Sequence, residues 1–148
     1  MKVNLGSGKD YREGWINIDI GSNLKTDIVY DLSKGIPLED NVADEVLASH
    51  FIEHIQDTIF IMNEIWRICK NGAIVIIRVP HQSNPLAFAD PTHKRIFNEE
   101  SFKYFCSNME HYHTHLEYGI LCNFELTEQR VTTGKGGEVV VRLKAIKR

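Results

Sequence analysis

Val3-Asn4-Leu5-Gly6-Ser7-Gly8 and Gly14-Trp15-Ile16-Asn17-Ile18-Asp19 open the chain and decide its fold. The pattern predicts a β-strand, a glycine turn and a second strand that ends on a carboxylate. Glycine lets the backbone turn where other residues clash and lets it approach a ligand closely. A carboxylate at the end of the neighbouring strand can accept hydrogen bonds from both hydroxyls of a ribose. Together these features predict a nucleoside-containing cofactor at the carboxyl ends of a parallel sheet.

Length and composition limit the classes of protein to which the chain can belong. The chain has 148 residues, of which 43% are hydrophobic and 25% charged, so we expect one globular domain over residues 1–148. The net charge of −3 gives no electrostatic footprint for nucleic acid or an anionic membrane. The sequence starts directly on a strand pattern, and no apolar run approaches membrane-spanning length. We therefore expect a cytoplasmic protein.

The cysteine and histidine patterns bear on redox and metal chemistry. Cys69, Cys106 and Cys122 share no short spacing, which favours free thiols in a reducing compartment. The alternating histidines at residues 111–115 would converge on one side of a strand, as metal ligands do. No carboxylate or cysteine stands at a recognised ligand spacing beside them. We therefore expect a solvated loop there and no metal site.

Strand and helix patterns alternate along the first two thirds of the chain. Residues 26–31 and 44–49 predict the third and fourth strands. Residues 73–79 form a nearly continuous β-branched run, typical of a strand that is covered on both faces. Before that run, residues 55–70 place apolar side chains at helical spacing, with Asp57 as the predicted cap. The alternation predicts a parallel α/β sheet.

The remaining segments complete the predicted fold. Asn71-Gly72 is expected to end the helix, and residues 81–98 to form a long loop. Residues 99–109 predict a second helix. Residues 120–132 and 138–146, separated by a glycine-rich turn, predict an antiparallel hairpin. A mostly parallel sheet closed by this hairpin is the most economical fold.

The first two connections between strands are short. Ten residues separate Gly8 from Asp19, and the next connection, over residues 20–25, is equally brief. Because a crossover helix needs about a dozen residues, we expect the two early helices to be reduced to loops. Their absence disfavours a nicotinamide dinucleotide, whose pyrophosphate needs a helix N-terminus. It also predicts a partly bare, apolar sheet face and, through it, a homodimer.

Further motifs follow the opening in a fixed order. The full set resembles the class I S-adenosylmethionine-dependent methyltransferases, and in particular the small methyltransferase-11-like group with short early connections. The resemblance covers about residues 2–105. Its motifs are Leu5-Gly6-Ser7-Gly8, Gly14-Trp15-Ile16-Asn17-Ile18-Asp19, Asp31-Leu32, Ile36-Pro37-Leu38, Asp44-Glu45, Ser49-His50-Phe51-Ile52-Glu53-His54-Ile55, Glu64-Ile65-Trp66-Arg67 and Asn71-Gly72-Ala73.

The resemblance implies a Rossmann-like sheet and S-adenosyl-L-methionine as the cofactor. It implies methyl transfer to an acceptor, which we expect to be a small molecule. The short chain keeps a second hypothesis open, because methyltransferases often build acceptor sites from extra helices. Under that hypothesis the chain is a cofactor-binding or structural module without catalysis.

The resemblance also implies which residues bind the cofactor. Gly6 and Gly8 would lie beside the methionine moiety, Asp19 would hold the ribose hydroxyls, and Asp31 would accept from the adenine amino group. His50 would lie near the methyl group. The complete expected set is Leu5, Gly6, Ser7, Gly8, Asp19, Ile20, Asp31, Leu32, Ser49 and His50.

Asp90-Pro91-Thr92-His93-Lys94-Arg95 lies just beyond the fifth predicted strand, where loops of parallel sheets carry function. A nearby carboxylate can orient a histidine as a general base. Asp90 and His93 are therefore the first catalytic candidates, and His50 is the second. The same segment could equally be a hydrogen-bonded loop with a structural role. Glu53 and His54 are interpreted as residues that favour the start of the following helix.

Overall fold

The computed structural model describes residues 1–112 and 116–147. Seven strands form one sheet in the order β3-β2-β1-β4-β5-β7-β6. Strands β1 to β5 run parallel, and β7 lies antiparallel between β5 and β6. The predicted parallel sheet with a C-terminal hairpin is thus confirmed. The strands are β1 Lys2–Leu5, β2 Ile16–Asp19, β3 Ile28–Val29, β4 Ala43–Ser49, β5 Cys69–Pro80, β6 Phe124–Val131 and β7 Glu138–Ala145.

Helix α1, Thr58–Ile68, covers one face of the sheet. Its cap is confirmed: the Asp57 carboxylate accepts from the Phe60 backbone N–H at 2.9 Å. The helix ends earlier than its apolar pattern predicts, because Cys69 adopts an extended conformation and pairs with Ala43 of β4. The turn expected at Asn71-Gly72 therefore lies inside β5, at the irregularity where the pairing register shifts.

The segment between β5 and β6 contains short elements. Helix α2 spans Pro85–Ala89, and 3₁₀ turns span Ser101–Phe105 and Leu116–Tyr118. The helix predicted over residues 99–109 is wrong in type and length, although Phe102 and Phe105 are buried as expected. The reason is that Cys106 leaves the turn to form a parallel bridge with Phe124. None of the helices in the described part of the chain is long and apolar enough to cross a membrane.

The early crossover helices are absent, as predicted: residues 6–15 and 20–27, all of them described, contain only turns and loop. The connection to β4 holds one 3₁₀ turn, Leu32–Lys34, and that from β4 to α1 holds another, Ile52–His54. The core lies on the α1 side of the sheet. It joins the helix residues Ile61, Met62, Ile65 and Ile68 to Val3, Leu5, Ile18, Val46, Ala48, Val75, Ile77, Val141 and Leu143 of the strands.

The opposite face of the sheet is polar, which corrects the expectation of an apolar surface. The loop over residues 10–12 covers Asn4 and Asn17 there, and the face is more open at β5. Lys2 pairs with Glu45 at 3.7 Å, and Arg78 pairs with Glu138 at 2.6 Å. Ile74 and Ile76 of β5 are only half-buried there, so this strand is not covered on both faces as its sequence predicts. Charged side chains keep such a face hydrated.

Candidate cofactor site

A cavity of about 670 Å³ opens at the carboxyl ends of β1, β2, β3 and β4. Its volume is in the range of ligand sites. It collects glycines, carboxylates, apolar side chains and histidines from loops that are far apart in sequence. The residues that line it are Gly6, Gly8, Asp19, Ile20, Tyr30, Asp31, Leu32, Ser33, His50, Phe51, His54, Ile55, Gln56, Thr92 and Lys94.

The glycine turn after β1 needs glycine at Gly6 for two reasons. Its φ of +62° lies in the left-handed region. A Cβ at this position would lie 2.5 Å from Cδ1 of Phe51, so a side chain has no room. Gly8 also has a positive φ, +51°. The turn therefore presents bare backbone to the cavity, as a close-lying ligand requires.

Asp19, at the end of β2, is tied to the glycine turn. Its Oδ2 accepts from the Gly8 backbone N–H at 2.8 Å, and its Oδ1 accepts from the Gly21 N–H at 2.8 Å. Each carboxylate oxygen has a further lone pair. The side chain can therefore hold the turn and still accept hydrogen bonds from a ligand in the cavity.

Asp31 follows β3 and caps the 3₁₀ turn Leu32–Lys34. Its Oδ1 accepts from the Ser33 hydroxyl at 2.6 Å and from the Ser33 backbone N–H at 3.1 Å. These bonds lower the pKa of Asp31 below its ordinary value. Asp31 thus has the capping role that an aspartate at the end of a strand can have in any protein. Because both bonds use Oδ1, Oδ2 has lone pairs for a ligand.

Apolar side chains line the cavity between the two carboxylates. Ile20 is 67% exposed although it is a large apolar residue, and it lines the cavity together with Tyr30. Leu32 is 4% exposed and closes the cavity from the core side. These residues provide a surface on which a flat ring can lie.

His50 enters the cavity from the end of β4 with a left-handed backbone, φ +53°. Its Nδ1 is 3.6 Å from Oε2 of Glu53, and its Nε2 is 3.4 Å from Oε2 of Glu138. The Glu53 carboxylate, with a smaller contribution from Glu138, raises the pKa of His50 above its ordinary value. A raised pKa favours the imidazolium, so His50 is suited to donate hydrogen bonds.

The structure brings Asp90 and His93 together but not as the sequence predicts. His93 Nε2 is 3.5 Å from Asp90 Oδ2, while its Nδ1 is 3.1 Å from the Ala87 carbonyl. A carboxylate that orients a histidine base usually contacts the ring nitrogen that is remote from the substrate. Here the carboxylate contacts Nε2, the nitrogen that would have to accept the proton, because Nδ1 faces the Ala87 carbonyl. The ring is largely buried and does not line the cofactor cavity. Instead it lines a neighbouring cavity of about 700 Å³.

Seven of the ten expected cofactor residues line the cavity, and Leu5, Ser7 and Ser49 do not. Leu5 is a fully buried core residue, and Ser7 is 3% exposed. Sequence reasoning missed the second wall, which is formed by two groups: Phe51, His54, Ile55 and Gln56, and then Thr92 and Lys94. Their positions in the sequence could have indicated them, because the first group directly follows the expected His50 and the second flanks the expected His93.

Other predicted features lie elsewhere. His113 and His115 are outside the described residues, and the His111 ring stacks on Tyr104 at 4.9 Å. Cys69, Cys106 and Cys122 are free and buried, and burial raises the pKa of each thiol to about 12. These thiols are therefore not nucleophiles at neutral pH.

The chain is similar in sequence to one known protein family. Residues 16–77 match the family profile described as a methyltransferase domain. That span contains β2 to β4, α1 and most of β5, and it includes Asp19, Asp31 and His50. No curated protein matches the chain in sequence.

Solved structures share the fold at low sequence identity. A SAM-dependent methyltransferase from Methanosarcina mazei is 14% identical with a TM-score of 0.70, and the match covers 99% of this chain and 92% of that one. A chain from the complex of the Haloferax volcanii Trm112 methyltransferase activator with a methyltransferase is 13% identical, with a TM-score of 0.69 and coverage of 99% and 82%. The [4+2]-cyclase SpnF is also 13% identical, with a TM-score of 0.66 and coverage of 99% and 74%.

The predicted resemblance is therefore confirmed. Residues 16–77 match a methyltransferase domain, and the sheet has the fold of solved SAM-dependent methyltransferases. S-adenosylmethionine is the cofactor that this match indicates. The residues present fit it: two carboxylates and apolar side chains line the cavity with a glycine turn, where a Cβ at Gly6 would collide with Phe51.

Proposed function

We propose that the chain transfers a methyl group from S-adenosylmethionine to a small-molecule acceptor. The observation that carries the proposal is the position of Asp19 and Asp31 with the glycine turn in one cavity, inside the region that matches the methyltransferase domain. When bound, the cofactor supplies a methyl group on a sulfonium. The protein positions the two reactants and shields them from water.

The proposed cofactor pose follows from the chemistry of the lining residues. The ribose hydroxyls donate to the second lone pairs of Asp19. The adenine amino group donates to Asp31 Oδ2, and the ring lies on Ile20 and Leu32. The methionine moiety then lies along the bare backbone of the glycine turn and ends near His50. Leu5, Ser7 and Ser49 belong to the same strand ends and turn but do not line the cavity.

The acceptor is proposed to bind in the neighbouring 700 Å³ cavity, which shares Lys94 with the cofactor cavity. Its wall also contains Arg95, Phe97 and Tyr104. Two cationic side chains beside aromatic rings suit a small acceptor that has an apolar body and an anionic group. The net charge of −3 and the absence of a basic stripe in the sequence give no support for a nucleic-acid acceptor.

Proton transfer is needed only when the acceptor atom carries a proton at the moment of attack. His50, which lines the cofactor cavity, is proposed to contact the reacting groups as a hydrogen-bond donor. His93 with Asp90 stays a prediction as the general base, acting from the acceptor cavity. Because His93 is the only one of these histidines in that cavity's described lining, a base role requires the acceptor to bind there.

Domain organisation, location and self-association are also proposed. Residues 1–148 are proposed to act as one domain, and the three free thiols suit the reducing cytoplasm. The homodimer predicted from the sequence assumed an apolar sheet face. The ion pairs on that face remove this support, and dimerisation stays a prediction that sedimentation at micromolar concentration will decide.

Formation of S-adenosylhomocysteine tests the proposed function. The full chain is incubated with S-adenosylmethionine and pools of small phenols, carboxylic acids and amines, and the product is quantified by mass spectrometry. We expect acceptor-dependent product that Asp19→Ala abolishes. Binding of the cofactor without product in every pool would contradict methyl transfer and favour the non-catalytic module. The fold by itself does not require methyl transfer, since a [4+2]-cyclase shares it.

A further inference from the structure

The ring of His54 is held with Nε2 available as a ligand atom. Its Nδ1 is 3.2 Å from the Thr92 carbonyl oxygen and 3.0 Å from Thr92 Oγ1. The Thr92 hydroxyl donates its hydrogen to Asp90 Oδ1 at 2.6 Å, so it can only accept from His54. Both neighbours of Nδ1 are therefore acceptors. In the neutral ring the proton is on Nδ1, and the lone pair is on Nε2.

His93 is held in the same tautomer by a different partner. Its Nδ1 is 3.1 Å from the Ala87 carbonyl oxygen, which can only accept. A proton on Nδ1 leaves the lone pair of the neutral ring on Nε2, which lies 3.5 Å from Asp90 Oδ2. The two rings meet edge to face, with centroids 4.9 Å apart. Metal-binding histidines have this arrangement, because their second nitrogen donates to a backbone carbonyl or an oxygen acceptor.

Glu53 supplies a buried carboxylate with an oxygen that has no partner. Its side chain is 3% exposed, and Oε1 makes no hydrogen bond to any described residue. A carboxylate oxygen buried without a partner is unfavourable and indicates a missing cation or water. The Glu53 carbonyl accepts from the Lys94 backbone N–H at 2.7 Å. This bond holds the turn that carries Glu53 and His54 against the segment that carries His93.

We propose that Glu53, His54 and His93 bind a divalent transition-metal cation. Each residue offers one ligand atom, and these atoms lie within 4.8 Å of one another. Two imidazoles and one carboxylate form a ligand set typical of Zn²⁺ sites that keep an open coordination position. A bound ion would draw the three atoms to metal–ligand distances of about 2.0–2.2 Å. The Asp90 carboxylate, beside His93, adds negative charge next to the site.

The proposed cation lies in the wall between the two cavities. His54 lines the cofactor cavity, and His93 lines the neighbouring one. An open coordination position there can take an oxygen of a small molecule in either cavity. The site is defined by protein side chains alone and does not depend on methyl transfer. It excludes a base role for His93 while the ion is bound, because both roles use the Nε2 lone pair.

Zinc binding by the untagged, chelator-treated full chain tests the proposal. Competition with a chromophoric chelator should give one tightly bound Zn²⁺ per chain. His54→Ala and His93→Ala should each weaken that binding by at least about 100-fold, and Thr92→Ala, which removes an outer hydrogen bond, by about tenfold. Glu53→Gln keeps the size of the side chain and should also weaken binding. Co²⁺ bound to the unmodified chain should give visible absorption typical of imidazole and carboxylate ligands, with no thiolate band.

The matched control removes the competing histidines of the sequence. A chain with His111→Ala, His113→Ala and His115→Ala should keep the tightly bound ion. The proposal is overturned if the unmodified chain binds no stoichiometric Zn²⁺, or if the triple variant loses the ion while His93→Ala keeps it. S-adenosylhomocysteine binding is measured on the same samples. Failure of metal binding with intact nucleoside binding would reject this site and leave the proposed function standing.

Discussion

The carboxylate of Asp19 accepts a hydrogen bond from the backbone N–H of Gly8 across 2.8 Å. The acid at the end of β2 and the glycine turn after β1 are thereby joined before any ligand binds. The groups assigned to the ribose and to the methionine moiety are thus already arranged relative to each other. Such preorganisation reduces the entropy lost on binding.

Gly6→Ala should destabilise the fold more than Gly14→Ala. Both positions have a positive φ, which disfavours a side chain by roughly 1–2 kcal/mol. A Cβ at Gly6 would also collide with Phe51, whereas a Cβ at Gly14 would meet open space. Urea unfolding measures both variants. Equal losses of unfolding free energy would show that the Phe51 side chain can move away from the new Cβ without destabilising the fold, which would contradict the expected collision.

Asp31→Ala should weaken S-adenosylhomocysteine binding, because it removes the proposed acceptor for the adenine amino group. A charge-assisted hydrogen bond contributes about 1.5–3 kcal/mol. The control is Ser33→Ala, which removes the hydroxyl bonded to Oδ1 and leaves the carboxylate in place. The inosine analogue of the ligand should bind the unmodified chain poorly. Equal calorimetric affinities for the adenine and hypoxanthine forms would remove Asp31 from this role.

Glu64→Gln should destabilise the protein at neutral pH and have less effect in acid. Glu64 accepts from Arg67 at 2.7 Å and from the Ile36 backbone N–H at 2.8 Å. Arg67, with a smaller part from Ile36, lowers the pKa of Glu64 below its ordinary value. A lowered folded pKa stabilises the fold above the unfolded pKa, and this stability is lost as pH falls through the folded pKa.

The loss for Glu64→Gln at pH 7 should be about 1–3 kcal/mol, as for a hydrogen-bonded charged group. It should shrink as pH falls below the ordinary range of a glutamate. Denaturant unfolding at several pH values gives both results. Glu39→Gln, an exposed carboxylate on the same connection, is the control and should change little. A loss that is constant from pH 7 to acid would contradict an ionised, paired Glu64.

Local sequence predicted the parts of the site that depend on one segment. The turn at Gly6 and the acid at Asp19 follow from residue type and position at strand ends, and both were found in the cavity. The end of α1 was not predictable in this way. Cys69 continues the apolar helical pattern, but its pairing with Ala43 across the sheet draws it into β5. Long-range pairing overrode the local period.

Contacts between distant segments account for the remaining differences. Ile74 and Ile76 have the residue types of a buried strand, and only the register with Lys144 and Arg142 of β7 shows that they share a hydrated face. His93 was placed near Asp90 by spacing alone. Which ring nitrogen meets the carboxylate depends on the Ala87 carbonyl, and no sequence pattern encodes that contact.

Calorimetric titration with S-adenosylhomocysteine tests the cofactor assignment most directly. The unmodified chain should bind one equivalent, and Asp19→Ala should lose at least tenfold in affinity, since one charge-assisted bond contributes about 1.5–3 kcal/mol. Asp10→Ala removes an exposed carboxylate that does not line the cavity and should bind normally. Circular dichroism verifies that Asp19→Ala is folded. An affinity of folded Asp19→Ala within a factor of two of the unmodified chain would contradict the cofactor site described.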